Sequence, residues 1–239
     1  NLGLNQTALA QGAPQPHIFM EAFWTFFIVV GGSGATMGLA ITRTFANVAG
    51  LTASTGALTV TTGVLDNTRG NIQSSQASLR IDSGTVDNTR GQLFGATDLT
   101  LGARNILNPD GSLYAGRNLS LALTGTLIHG GTLAAGQDVT VRARSIDAGA
   151  TSLFAAGLQS DGSLGGSGAL ALSADETLIA HGRNLAASSA TLSAASLDLS
   201  ASQTAARAVK PIATMPPIRT DPASGLPADR VPALVRGHG

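Results

Sequence analysis

VLDNTRGNI, at residues 64–72, returns as TVDNTRGQL at residues 85–93, with DNTRG unchanged and displaced by 21 positions. An enzyme needs a catalytic group once. A duplicated polar pentapeptide therefore favours a structural unit that is laid down repeatedly along the chain. The residues around the two copies show how long that unit is.

Apolar residues recur around the pentapeptide at a step of 20 or 21 residues, in four columns. A fifth column, which lies between the third and first columns along the chain, contains only small residues, as a tight bend towards a narrow interior would require. The apolar columns are Leu58, Leu79, Leu99, Leu119 and Val139; Val60, Ile81, Leu101, Leu121 and Val141; Ile72, Leu93, Leu113, Leu133 and Leu153; and, with one gap, Leu65, Val86, Ile106 and Ile146. The small column is Ser74, Gly95, Ala115, Ala135 and Ala155.

The apolar pairs of the first two columns are spaced by two residues, which is the period of a strand with one buried face. A helical repeat would need about 33 residues or more, and the pattern of leucine-rich repeats is missing. Short strands that recur every 20 residues are typical of a coiled solenoid, whose rungs stack about 4.8 Å apart. The sequence therefore predicts an all-β fold, a parallel β-helix of about seven or eight rungs over residues 50–205.

The repeated pentapeptide is predicted to form a corner of this solenoid. Asn67, Asn88 and Asn108 share one column, and we expect each Asn to adopt a left-handed conformation and its amide to hydrogen-bond from rung to rung. A glycine column is expected to supply a positive φ at the same corner. Asp66 stacked on Asp87 would repel, so we expect Arg69 and Arg90 to balance these charges. The glycine column is Gly70, Gly91, Gly111 and Gly131.

The composition divides the chain into three segments. Residues 1–42 are apolar and of membrane type, since the run from Ala22 to Thr42 contains no charged residue and is long enough to span a bilayer. Residues 50–205 are the repeat body. Residues 208–239 hold most of the prolines and are predicted to form a disordered tail.

Composition also excludes several functions. The formal net charge is zero and the basic residues form no dense cluster, so nucleic-acid binding is not expected. The chain has no cysteine, which excludes disulfides and thiolate chemistry. We expect no catalytic, cofactor-binding or metal-binding residues, because the four histidines lie far apart without metal-ligand spacing. They are His17, His129, His181 and His238.

The best enzymatic alternative places carboxylates on neighbouring rungs, as β-helix enzymes acting on polysaccharides do. Asp66 over Asp87, or Asp98 and Asp138 flanking Asn118, would form such a cluster for Ca²⁺ or for acid/base catalysis. Aspartates at turns, however, commonly accept hydrogen bonds from their own backbone. Aromatic platforms for sugars are also scarce in the repeats.

The stretch LDNTRGNIQSSQASLRIDSGTVDNTRGQLFGATDLTLGARNI, residues 65–106, resembles the haemagglutinin repeats of filamentous haemagglutinins and CdiA-type exoproteins of two-partner secretion systems. The strands AGRNLSL and AGQDVTV continue the resemblance, which covers about residues 50–205. It implies a right-handed parallel β-helix that serves as the stalk of a secreted adhesin or contact-dependent inhibition exoprotein. It also implies an outer-membrane secretion partner and weak, multivalent contacts with glycans or proteins of host or neighbouring cells.

The stretch ALAQGAPQPHIFMEAFWTFFIVVGGSGATMGLAI, residues 8–41, resembles instead the sugar-translocating subunit of lactose/cellobiose phosphotransferase systems. The match centres on GGSGAT, residues 31–36, which in such a permease would contact sugar hydroxyls. A permease segment joined to haemagglutinin repeats predicts either a mis-joined reading frame or an apolar anchor or cap. No signal peptide is visible, so we expect the chain to be an internal slice of a longer exoprotein, with membrane contact only through residues 22–42 if at all.

Overall fold

The computed structural model describes residues 17–19, 27–30 and 34–213, with side chains from residue 34 to residue 212. All of the regular structure in these ranges is β-strand, in two sheets of thirteen and nine strands. Each turn of the chain contributes one short strand to the nine-stranded sheet and either one long strand or two shorter strands to the thirteen-stranded sheet. The bounds of the strands are as follows.

The thirteen-stranded sheet contains β1 (His17–Phe19), β3 (Met37–Ala46), β5 (Leu58–Asp66), β7 (Leu79–Asp87), β9 (Leu99–Ala103), β10 (Asn105–Asn108), β12 (Leu119–Leu123), β13 (Thr126–His129), β15 (Val139–Ala148), β17 (Leu170–Ala180), β19 (Ser189–Ala194), β20 (Ser196–Asp198) and β22 (Ala208–Ala213). The nine-stranded sheet contains β2 (Phe27–Val30), β4 (Leu51–Ser54), β6 (Asn71–Ser74), β8 (Gln92–Gly95), β11 (Ser112–Ala115), β14 (Thr132–Ala135), β16 (Leu153–Ala156), β18 (Arg183–Ala186) and β21 (Gln203–Ala205).

The strands of both sheets pair in parallel, each with the equivalent strand one turn before and one turn after. Leu99, for example, lies between Leu79 and Leu119, and Leu113 lies between Leu93 and Leu133. The chain therefore winds as a β-solenoid of about nine turns. This confirms the predicted all-β fold of parallel strands.

The predicted Leu, Ile and Val columns form the core of the solenoid. From Leu58 to Val141, the members of the first two columns are at most 1% exposed. Like side chains pack directly over like side chains, because the rungs are held in register by the backbone hydrogen bonds. The gap in the fourth column is filled by Leu127, which pairs with Ile106 on one side and Ile146 on the other.

Two columns depart from the prediction at their last members. Leu133 pairs with Phe154 rather than Leu153, and Ala135 pairs with Ala156 rather than Ala155. The cause is a corner of different length: one rung runs from His129 to Thr132, whereas the next runs from Ala148 to Leu153 and is two residues longer. Phe154 is consequently buried inside the solenoid, while Leu153 is only half-buried.

Strand pairing extends on both sides of the expected repeat body. Strand β3 pairs in parallel with β5, so residues 37–42 of the expected apolar segment belong to the rung that precedes β5. Of GGSGAT, residues 31–33 lie outside the described residues. Ala35 lies at a corner, where its carbonyl accepts hydrogen bonds from Gly56 and Ser54 of the next rung.

At the other end, β22 pairs with β19, so residues 208–213 of the expected tail form a strand. Residues 214–239, the rest of the expected tail, lie outside the described residues. In the part of the chain that the structure describes, no helix is long and apolar enough to cross a membrane.

Candidate functional site

The DNTRG corner carries a ladder of buried amides inside the solenoid. Asn67 Nδ2 donates to Asn88 Oδ1, and Asn88 Nδ2 donates to Asn108 Oδ1, each at 2.7 Å. Asn47 starts the ladder one rung earlier with the same 2.7 Å bond to Asn67. All four amides are fully buried. The predicted rung-to-rung hydrogen bonding of the Asn column is therefore confirmed, and the ladder begins before the first DNTRG.

Each amide of the ladder also holds its own corner closed. Asn88 Nδ2 lies 3.2 Å from the carbonyl oxygen of Gly91, three residues further along the chain, and Asn67 makes the equivalent contact to Gly70. At the N-terminal end, the Thr52 hydroxyl donates to Asn47 Oδ1 at 3.0 Å. Each bond between two amides runs from the Nδ2 of one rung to the Oδ1 of the next, and a chain of hydrogen bonds polarised in one direction strengthens each member.

The conformations assigned to the corner from the sequence are wrong for both Asn and Gly. The left-handed residue is the one before the glycine: φ is 56° at Arg69, 54° at Arg90 and 55° at Asp110. The glycine is required for a different reason. A Cβ on Gly91 would collide with the carbonyl oxygen of Asn67 in the preceding rung, so the glycine permits close approach between rungs.

The aspartates of DNTRG accept hydrogen bonds within local turns. Asp66 Oδ1 accepts a hydrogen bond from the Thr68 backbone N–H at 3.0 Å. Asp87 Oδ1 accepts from the backbone N–H of Thr89 at 2.9 Å and from its hydroxyl at 2.6 Å. These carboxylates close local turns. The expected pairing with Arg69 and Arg90 does not occur among the described residues, where Arg90 instead lies 3.8 Å from Asp110.

The amide ladder ends at a buried histidine. Asn108 Nδ2 lies 3.1 Å from His129 Nδ1, and His129 Nε2 lies 3.3 Å from the Leu153 carbonyl oxygen. Because the amide nitrogen can only donate, Nδ1 must accept and the proton must be on Nε2. Burial lowers the pKa of His129 to about 4, against the smaller opposing effect of its hydrogen bonds. The neutral ring packs against Phe154, with ring centroids 4.8 Å apart.

A second ladder runs along the corner that precedes the long strands. Asn118 donates from its backbone and its side chain to Asp98 Oδ1, at 3.3 and 3.0 Å. The backbone N–H of Asp138 donates to Asn118 Oδ1, and Asp138 Oδ1 accepts from Ala169 at 2.8 Å. The candidate catalytic carboxylates Asp98 and Asp138 thus satisfy the backbone of the next rung. They do not converge on a shared ligand position.

The pKa values of the carboxylates at these corners follow from their donors. The pKa of Asp98 is lowered: burial would raise it, but hydrogen bonds from Arg117 and Asn118 and the charge of Arg117 outweigh that effect. Asp198 has its pKa lowered to about 2, mainly by hydrogen bonds from Ser200 and then by His181. Carboxylates held in this ionised state do not serve as general acids near neutral pH.

The remaining histidines do not build a metal site among the residues that are described. His181 Nε2 lies 3.0 Å from Asp198 Oδ2, an ion-pair distance without the geometry of a hydrogen bond. His17 lies in β1 and His238 lies outside the described residues. No group of three or more potential ligands comes together in the described ranges.

Two grooves lie on the outer surface of the part of the chain that the structure describes. One lies on the outside of the thirteen-stranded sheet and is apolar, with Val64, Leu107 and Ile128 all more than a third exposed. The other, of about 520 Å³, lies beside Tyr114 and is bounded by the segment between Gly157 and Gly168. That segment separates Ala156 from Leu170, whereas four residue steps suffice between Ala135 and Val139 in the preceding rung.

Sequence reasoning missed the groove that the segment between Gly157 and Gly168 forms beside Tyr114. It also missed His129 as the end of the amide ladder, because the residue type changes there from Asn to His. The usable signal was positional, since His129 follows Asn108 at the same interval that separates Asn67 from Asn88.

Comparison with known proteins agrees with this geometry. The family model described as haemagglutinin repeat matches residues 3–90, 76–127, 108–158 and 148–209. The first match runs through residue 42 without interruption, so the repeat pattern extends across the region whose sequence resembled a permease.

A toxin CdiA of Yersinia pestis is 46% identical over 69 residues, which is 29% of this chain and 2% of that protein. The chain thus spans a very small part of the curated relative that it matches. No solved structure matches the chain. With matches that together cover most of its length, the chain belongs to the haemagglutinin repeat family.

Proposed function

We propose that this chain is a segment of the stalk of a secreted bacterial exoprotein, of the adhesin or contact-dependent inhibition type. The observation that carries the proposal is the continuous stack of rungs, in which the corner amide bonds to its equivalent over three successive junctions from Asn47 and to the His129 ring at a fourth. A stack about nine rungs long, at about 4.8 Å per rung, extends over roughly 40 Å.

The polar groups support a structural role over an enzymatic one. The carboxylates of the corners accept hydrogen bonds from backbone and hydroxyl donors, as Asp66, Asp87, Asp98 and Asp138 show. Catalysis requires groups with matched pKa values gathered in one concave place. These aspartates are instead distributed along the axis, one to a rung. We therefore infer that the segment has no catalytic activity and needs no cofactor or metal.

Membership of the haemagglutinin repeat family supports a larger setting for this segment. An exoprotein of this kind is exported across the outer membrane by a dedicated secretion partner and reaches the cell surface or the medium. We propose that the stalk makes weak contacts with glycans or proteins of host or neighbouring cells. Many parallel copies on one surface would make such contacts effective through avidity.

The experiment has two arms, both with the purified full chain. In the first, the chain is incubated with pectin and alginate, with and without Ca²⁺, and we expect no cleavage. In the second, the chain is displayed on beads at high density, and we expect cell binding that soluble chain does not show. Beads carrying an unrelated protein of the same size are the control.

Two results would overturn the proposal separately. Cleavage that is lost in Asp66→Asn or Asp87→Asn would replace the stalk by an enzyme. Coated beads that bind cells no better than control beads would remove the adhesive role and leave only a spacer.

A further inference from the structure

Two aromatic rings on the outer face of the nine-stranded sheet form a stack. Phe94 in β8 and Tyr114 in β11 are paired neighbours in register, and their rings are parallel within 2° with centroids 5.9 Å apart. Both side chains are half-buried. The next residue of this outward column is Ala134. Since Phe94 covers one face of the Tyr114 ring, the other face is directed towards a rung with a small side chain.

The groove of about 520 Å³ lies on that side of Tyr114. Gly136 and Gln137 form its floor on the next rung, and the segment between Gly157 and Gly168 forms its wall. The groove is therefore specific to this place, because it needs both the aromatic ring and the interruption of the repeat.

The wall is held in place by hydrogen bonds. Gly165 N–H donates to the Gly157 carbonyl at 2.7 Å, and Gln159 N–H donates to the Ser163 carbonyl at 2.8 Å. Asp161 Oδ1 accepts from both the backbone and the hydroxyl of Ser163. A wall that is ordered before binding loses less conformational entropy on binding than a mobile loop would, which favours a ligand site.

The lining is uncharged but rich in hydrogen-bonding groups. None of its ten described residues carries a charge. The side-chain amide of Gln137 and the hydroxyl of Tyr114 have no hydrogen-bond partner within the described residues, and both are available to a ligand.

An open aromatic face flanked by amides and hydroxyls suits a sugar. The C–H groups of a pyranose ring pack on an aromatic ring, while its hydroxyls pair with amide and hydroxyl groups. An anionic ligand would require arginine or lysine in the lining. We propose that this groove binds a neutral saccharide, with one pyranose ring stacked on Tyr114 and its hydroxyls bonded to Gln137. This site rests on the proposed function, since it gives the contact with cell-surface glycans a defined place.

The test uses saturation-transfer NMR with the full chain. The probes are three neutral sugars (maltotetraose, cellotetraose and N-acetyllactosamine) and one anionic sugar (sialyllactose), each at about 10 mM, so that even a Kd of a few millimolar gives measurable occupancy. We expect transfer to the ring protons of at least one neutral sugar and at least threefold less transfer to sialyllactose.

Three variants locate the binding. Tyr114→Ala is expected to abolish transfer, Gln137→Ala to weaken it about tenfold, and Tyr114→Phe, which retains the ring, to keep it within about threefold. Circular dichroism and urea melts of each variant show that the fold is intact, which we expect because Tyr114 and Gln137 lie outside the core. Absence of transfer from all three neutral sugars, equal transfer from sialyllactose, or unchanged transfer in Tyr114→Ala would each overturn the site.

The bead assay separates this site from the broader proposal. If wild-type beads bind cells while no neutral sugar gives transfer with the wild-type chain, the adhesive stalk stands and the saccharide groove is wrong. If wild-type beads do not bind cells but the sugar does bind the groove, the groove stands and the adhesive role of the stalk is wrong.

Discussion

The rungs before and after His129 are stabilised in different ways. From Asn47 to His129, each corner contributes a buried amide or imidazole to one continuous ladder. In the following rungs, Ala148 and Ala180 occupy the same column. Alanine is smaller than asparagine or histidine, and Phe154 on the facing strand fills the remaining space in place of a leucine.

The two regions differ in how much change of corner length they tolerate. The ladder fixes the length of its corners, because each amide must reach both its own glycine carbonyl and the next amide. Beyond His129 the corner before β16 is longer, and the segment from Gly157 to Gly168 interrupts the repeat without disturbing the pairing of β16 with β18. Apolar packing is non-directional, so it accommodates changes of length that a hydrogen-bonded ladder does not.

The apolar core is common to both regions, and its truncation should have the largest effect. We expect Leu99→Ala and Leu172→Ala each to lower the free energy of unfolding by about 2–5 kcal/mol, because both side chains are buried between two rungs and the cavity cannot collapse easily. Urea denaturation measures this. The control is Val64→Ala, whose side chain is 41% exposed on the outside of β5 and should matter little. A small cost at Leu172 alone would show that the second region is loosely packed.

The contribution of His129 to the stability of the fold should depend on pH. Because the pKa of His129 is about 4 in the folded state and about 6.5 in the unfolded chain, the unfolded state binds more protons between these values. Stability should therefore be complete above pH 6.5 and fall as the pH decreases to 4, by up to about 3 kcal/mol at about 1.4 kcal/mol per pKa unit. Protonation would place an N–H of the imidazolium against the amide donor of Asn108.

Urea melts at several pH values provide the measurement. His129→Asn, which continues the amide column, should remove the decrease between pH 6.5 and 4. The carboxylates Asp98 and Asp198, whose pKa values are lowered, lose their contribution only at lower pH. A variant that keeps the wild-type pH profile would show that His129 is not the group that titrates.

The glycine of the ladder corner should not accept a methyl group. Gly91→Ala is expected to cost about 1–3 kcal/mol, because its Cβ would collide with the Asn67 carbonyl and the Asn88 amide. Gly149→Ala is the matched control in the second region, where a Cβ would meet no atom within 4 Å. Thermal melts of both variants should differ clearly, and equal Tm values would contradict the close approach of the rungs.

Loss of one amide should have the smallest effect of the four. Asn88→Ala removes an acceptor from Asn67 and a donor from Asn108, and should cost about 1–2 kcal/mol. Asn184→Ala in the second region should cost less, since the buried Asn184 Oδ1 has no partner to lose. If urea melts show Asn88→Ala to be as harmful as Leu99→Ala, the corner has a role beyond the ladder.

The sequence was sufficient for the fold wherever a rung repeats the length of its neighbour. The Leu99 and Leu101 columns follow from counting, because a constant step places like residues on like. Counting failed at Leu153, where a longer corner changes the register and brings Phe154 inwards. It also misplaced the left-handed residue, since the close approach of Gly91 to Asn67 depends on the distance between rungs and leaves no separate mark in the sequence.

The polarity of the amide ladder has a consequence for how such a chain can grow. Asn88 presents an acceptor to the preceding rung and a donor to the following rung, so a rung of this kind can stand before or after a copy of itself. Tandem duplication of 20 or 21 codons within residues 47–108 would therefore continue the same pattern of amide bonds. After His129 the column continues with Ala148, whose side chain has no hydrogen-bonding group, so the rule for adding copies ends there. The imidazole marks the boundary between rungs that can be duplicated and rungs whose corners differ in length.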